Sequence, residues 1–262
     1  PPMLRFPYLL QFVPTELNTL KRMRRHPLAV TIVVLGTIIA LAVLAARLGP
    51  AWLDGRFSPS RVATSSPIIR PISAADHILG NPAAPVVFLE YGDFECPFCQ
   101  EYHPEILAAV ESLGREGQVA LSYRHFPNSE KHPRARAAAI ASECVATLLG
   151  NEAFFDYADG LYANSPASLS DEALLASAVG LGAEEDAFRQ CLASSAPASR
   201  VDADYREGLL LAANDPNFGT PYTVALAADG RQVPFAGSRP ASYLVSLAKI
   251  LLGNATSTAA AR

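Results

Sequence analysis

The 262-residue sequence predicts an α/β domain whose strands are interrupted by a helical block, preceded by one N-terminal transmembrane helix. Three observations carry this. Twenty uncharged residues, Pro27 to Ala46, follow the basic cluster Lys21-Arg22-Met23-Arg24-Arg25. Strand-like runs at Val86 to Tyr91, Val119 to Tyr123, Tyr222 to Ala227 and Gln232 to Ala236 bracket an Ala/Leu-rich stretch from Pro133 to Ala213 that has helical spacing. Between the first two runs, Cys96-Pro97-Phe98-Cys99 opens a further helical stretch.

An uncharged run of this length spans a bilayer as a helix, and clustered positive charges stay on the cytoplasmic side. Six of the 21 Lys/Arg but one of the 25 acids fall in residues 1–47, so the basic end belongs to a membrane rather than to nucleic acid. Residues 1–26 are therefore expected to be a cytoplasmic basic segment and 27–47 a single-pass anchor in the cell membrane. The rest would then be extracytoplasmic, in a periplasm or at the cell surface. Val43-Leu44-Ala45 also suits cleavage of a signal peptide, but the apolar run is longer than a usual signal core, which favours a retained anchor. Pro1-Pro2 ahead of Met3 makes Met3 a candidate start.

Residues 48–72, rich in Pro, Ser and Arg, read as a linker with a reach on the order of 27 Å. A domain follows over 73–252, with its helical insertion at about 133–213. Pro104 should kink the helix that begins near Cys96 without ending it. In the insertion one helix starts at Ser170-Asp171-Glu172, a capping serine followed by first-turn acids, and breaks at Gly180 and Gly182. Another places Phe188, Cys191 and Leu192 on one face. Asp229-Gly230 turns the last two strands into a hairpin, a helix from Pro240 to Leu252 closes the domain, and 253–262 is expected to be a loose tail.

Two thiols three positions apart at a helix start are placed to exchange a disulfide. There Cys96 meets unpaired backbone N–H groups and the positive end of the helix dipole, which favour its thiolate. Cys99, one turn deeper, is the candidate resolving thiol. A zinc half-site is the competing use of C-x-x-C, but Cys144 and Cys191 stand apart with no histidine within four residues of either. Glu90, at the end of an apolar run, would lie close to buried beneath the thiols, where a carboxyl has a raised pKa and can move protons. His103 and His125 lack a second ligand at useful spacing, so no metal is assigned. Asp93 and Glu95 read as loop and helix-start residues whose charge could influence Cys96. Gly219-Thr220-Pro221, just before a strand, is a candidate cis-proline loop beside which an extended chain could pair.

Together these residues resemble the thioredoxin superfamily, and within it the DsbA-like thiol-disulfide oxidoreductases. The likeness covers about residues 72–252. It rests on Glu90-Tyr91-Gly92-Asp93-Phe94-Glu95-Cys96-Pro97-Phe98-Cys99, on Tyr123-Arg124-His125-Phe126-Pro127, on the Ala-rich stretch from Ala135 to Cys144, and on Gly219-Thr220-Pro221. It implies a thioredoxin fold with an inserted helical subdomain, a redox-active Cys96/Cys99 pair, a proton-relay acid at Glu90, substrate binding at Thr220 and Pro221, and no cofactor. Phe98 stands where strongly oxidising members carry histidine, and the segment after Pro221 lacks the family's usual aromatic pair. In an oxidising compartment Cys144 and Cys191, both in the insertion, are expected to form a structural disulfide, the alternative being two buried free thiols. The expected function is disulfide formation in unfolded or reduced exported proteins, with a membrane redox partner resetting the pair. A reductase or isomerase uses the same atoms, and a non-catalytic membrane-tethered chaperone would use the proline groove alone. With no separate dimerisation domain visible, a monomer is expected.

Overall fold

A computed structural model describes residues 69–166 and 169–259, together with Leu35, Ile38 and Ile39. Among the described residues no helix is long and apolar enough to cross a membrane. Apart from Leu35, Ile38 and Ile39 the anchor expected over 27–47 lies outside the described residues, as does the linker expected over 48–72 up to residue 68.

A five-stranded sheet organises the domain, in the order β1-β3-β2-β4-β5. Its strands are β1 (His77–Gly80), β2 (Val86–Gly92), β3 (Val119–His125), β4 (Tyr222–Ala227) and β5 (Gln232–Ala236). Within this sheet only β2 and β3 pair in parallel; the other neighbours are antiparallel. The parallel pair is joined by the crossover helix α1 (Pro97–Gly114). Both β2 and β3 are buried along their whole length, which explains why Val86-Val87-Phe88-Leu89 reads as a continuous apolar run rather than an alternating one.

Between β3 and β4 the insertion supplies α2 (Ala135–Leu149), α3 (Asn151–Asn164), α4 (Asp171–Gly180), α5 (Glu185–Ala193) and α6 (Ala196–Ala212). The expected local signals are present. The Ser170 side chain accepts a hydrogen bond from the Ala173 N–H at 3.2 Å, and α4 ends at Gly180, two residues before Gly182 with its φ of +104°. Of the face expected from Phe188, Cys191 and Leu192, Phe188 is buried but Leu192 is exposed. The strand β1 adds to the four that the sequence predicts, and two expectations are corrected. Arg70, inside the expected linker, docks on the domain, with its guanidinium 2.6 Å from Asp204 and its backbone N–H donating to Glu207. The last helix, α7 (Ala241–Ala259), continues beyond Leu252, since no proline interrupts that part of the sequence.

Alternation along β2 sends side chains to two different cores. Phe88 and Val86 join a large core with α1, α7 and the insertion helices. Leu89 and Tyr91 join a smaller one with Leu211 of α6 and Tyr222 and Val224 of β4. Glu90 stands on the first face and Tyr91 on the second, and all site geometry follows from that division.

Candidate active site

Cys96 is the N-cap of α1, in extended conformation (φ −74°, ψ 121°), with Pro97 at the first helical position. The loop before it is pinned by Asp93. Its buried carboxylate accepts from the Glu95 and Asn128 backbone N–H groups, each at 2.8 Å, and lies 2.7 Å from His132 Nδ1. Glu95 accepts from the Arg134 N–H. Both acids are loop fasteners.

The cysteines are free thiols on the helix start. Cys99 is fully buried and Cys96 retains 4% exposure. The Cys96 thiol is covered by the loop before β4, where it donates to the Thr220 carbonyl at 3.3 Å, and the Thr220–Pro221 peptide bond is cis. Phe98, between the two cysteines, is by contrast 59% exposed.

The two thiols are electrostatically unlike. Hydrogen bonding from Cys99 is the largest influence on Cys96 and, with the Thr220 side chain and the backbone N–H groups of Cys99 and Phe98, brings its pKa down to about 6 against the opposing effect of burial. Burial drives Cys99 well above the usual thiol range, and its hydrogen bond to Cys96 and the charges of Cys96 and Glu90 add to the rise. Glu90 is fully buried, both carboxylate oxygens lack a hydrogen-bond partner, and desolvation, followed by the Cys96 charge, raises its pKa to about 8. An acidic thiol, a basic buried thiol and a carboxyl that titrates near neutrality can exchange a disulfide and move the accompanying proton.

Cys144 of α2 and Cys191 of α5 are joined by a disulfide with a Cα–Cα distance of 5.8 Å. His103 lies on the buried stripe of α1, with Nε2 2.6 Å from Asp159. His125 has neighbours that its sequence surroundings did not show: His77 Nε2 and His125 Nε2 lie 2.8 and 2.9 Å from the same oxygen of Glu143. These three residues, far apart in sequence, bring ligand atoms within 4.8 Å of one another. By donor type they could hold a metal ion, but two features of the pocket oppose it. The Arg200 guanidinium is 4.0 Å from that Glu143 oxygen, and His125 Nδ1 lacks the partner that orients a ligating imidazole.

Sequence reasoning also missed Arg124. It is fully buried on the opposite sheet face, donating from Nε to Asp76 at 2.8 Å and from Nη1 to Glu207 at 2.5 Å. Tyr91 hydrogen-bonds the same Glu207 oxygen, and Arg70 pairs with Asp204.

A family profile described as thioredoxin matches residues 73–221, from before β1 to the cis proline. The chain belongs to the thioredoxin family. A crystal structure of alpha-DsbA1 from Wolbachia pipientis superposes with a TM-score of 0.57 at 23% identity, covering 73% of this chain and 97% of that one, so the domain has the fold of the DsbA proteins. Over 91 residues it is 32% identical to disulfide bond formation protein D of Bacillus subtilis (strain 168), which is 34% of this chain and 39% of that protein. Over 118 residues it is 40% identical to Na(+)/H(+) antiporter NhaA 1 of Mycolicibacterium gilvum (strain PYR-GCK), which is 42% of this chain but 18% of the antiporter. A match to so small a share of an antiporter is no ground for reading ion transport into this thioredoxin-family chain.

Proposed function

We propose that this protein is a protein thiol-disulfide oxidoreductase acting outside the cytoplasm, most readily as a disulfide-forming oxidase. The observation that carries the reading is the split between the thiols: Cys96 held near 6 and Cys99 well above 9, over a partnerless Glu90. A stabilised Cys96 thiolate favours the reduced form of the pair, which makes its disulfide oxidising. The name of the Bacillus subtilis relative supports the same direction.

In this reading a substrate thiolate, its backbone held beside Thr220 and Pro221, attacks Cys96 of the oxidised pair. The Cys96–Cys99 bond breaks and its electrons go to Cys99. Glu90 gives that thiolate a proton. A second substrate thiolate then attacks the mixed disulfide, leaving the substrate oxidised and Cys96 as a thiolate. The bridge between Cys144 and Cys191 takes no part and staples the insertion. The basic residues before 27 and the apolar run to 46 support tethering to the cell membrane near a redox partner that reoxidises the pair.

Equilibration of the Cys96/Cys99 pair with glutathione buffers tests the direction. The expected potential lies above about −180 mV; a value near about −270 mV, in the range of reducing thioredoxins, would overturn the oxidase assignment.

A further inference from the structure

Glu90 is buried without a hydrogen-bond partner, yet residues that carry hydroxyls flank it on both sides. Strand register places them. Glu90 sits opposite Tyr123 on β3 and opposite Thr223 on β4, so the three side chains share the face that α1 covers. Each neighbour is half of a hydroxyl pair: Tyr123 with Tyr162 of α3 at 2.8 Å, and Thr223 with Tyr102 of α1 at 3.0 Å. All four residues are buried. A hydroxyl pair spends one proton on the bond between its members and keeps a second. Among the described residues these hydroxyls have no other partner, and Glu90 and the thiols share their side of the sheet.

Packing brings the Tyr123 phenol toward the active loop. A Cβ at Gly92 would lie 2.5 Å from the Tyr123 hydroxyl, so the ring runs across the Gly92 backbone, between Glu90 and the turn that carries Cys96. Burial first, then the charges of Glu90 and Cys99, raises the phenols of both Tyr123 and Tyr102, so these groups stay protonated and act as donors rather than bases.

We propose that the two hydroxyl pairs are a switchable donor set for Glu90, with Tyr123 and Thr223 as the positioning residues that face it. The idea rests on Glu90 being the proton relay. When Glu90 passes its proton to the Cys99 thiolate, the spare O–H of each pair turns to the new carboxylate; when the proton returns, it turns away. Only the proton changes hands between carboxyl and sulfur, and the tyrosines are neither oxidised nor deprotonated. A carboxylate fixed permanently by such donors would be too weak a base to recover the proton. One left without any would hold its proton too tightly to release it.

The test is the pH profile of Cys99-dependent resolution of a mixed disulfide between Cys96 and glutathione, in the full chain. Glu90→Gln should remove the limb centred near 8. Tyr123→Phe and Thr223→Val, which keep the packing and delete the donor, should each move that limb up by about one pH unit, and further together. Thr223→Ser should restore the wild-type midpoint. Tyr162→Phe leaves the Tyr123 hydroxyl in place and should not raise the midpoint, whereas a purely structural role predicts equal effects at both tyrosines. An unmoved limb in Tyr123→Phe and Thr223→Val, with the limb lost in Glu90→Gln, overturns the donor set and leaves Glu90 as relay. A limb that survives Glu90→Gln overturns the relay itself.

Discussion

The central strand carries an acid environment on each face, and the two are opposites. On the α1 side Glu90 is alone, desolvated and unpaired, and its pKa rises to about 8. On the α6 side Glu207 and Asp76 meet Arg124 and Arg70, and Asp76 is lowered because its bonds and proximity to Arg124 outweigh burial. Burial is common to both. The presence of a fixed cation decides whether the carboxyl becomes a proton carrier or a structural anchor. The paired face fastens the segment before β1, the sheet and α6 together, while the unpaired face is adjacent to the thiols.

The comparison breaks first at Arg124. Replacing it with Ala leaves Asp76 and Glu207 as buried charges without their main partner and should cost about 3–5 kcal/mol in urea unfolding. Glu90→Gln, at the neighbouring register position on the other face, should not destabilise the protein near neutral pH and should leave the fold intact; comparable losses at both sites would void the distinction.

Next in size is the staple of the insertion. The Cys144–Cys191 bridge spans 47 residues. Removing it with paired alanines should lower stability by about 2–4 kcal/mol while the exchange chemistry of Cys96 and Cys99 survives. Loss of exchange in a variant that remains folded would show that the insertion shapes the site.

The smallest effect is a slope. Glu90 is held near 8 in the folded reduced protein against an ordinary 4.5, so the stability it contributes is present below 4.5 and is lost as pH rises through 8. Cys96 is held near 6 against 9, so its contribution is present above 9 and is lost as pH falls through 6. From pH 6 to 8 the two oppose each other at about 1.4 kcal/mol per unit each. The difference in stability between reduced Glu90→Gln and reduced wild type should therefore grow with pH by about that amount per unit over this window. A constant difference would mean that Glu90 titrates as an ordinary carboxyl.

The redox half of this comparison was legible in the sequence because its signals are local. Cys96 and Cys99 fall on one helical turn, Glu90 ends a run whose unbroken apolarity marks a buried strand, and Gly219-Thr220-Pro221 announces a turn before β4. Arg124 was not legible. A charge in a short strand reads as solvent-facing, and its partners lie 48 and 83 positions away, on the approach to β1 and on α6. His77 and Glu143 were missed for the same reason, 66 positions apart and brought together only by the fold. Arg70 sat in a stretch whose composition resembled linker, and only the acids of α6 show that it packs on the domain.

The pairing of β2 between β3 and β4 also bears on how faithfully the chain folds. Neighbouring positions 90 and 91 hold groups that each face tolerates only in its own place. A slip of one residue would thrust Glu90 toward the Arg124 cluster and Tyr91 under the thiols, exchanging every apolar contact of the strand as well. Misregistered chains would thus gain neither a working redox centre nor a satisfied ion cluster. The same alternation that separates the two chemistries penalises the nearest wrong structure twice, giving this buried strand a proofreading role during assembly.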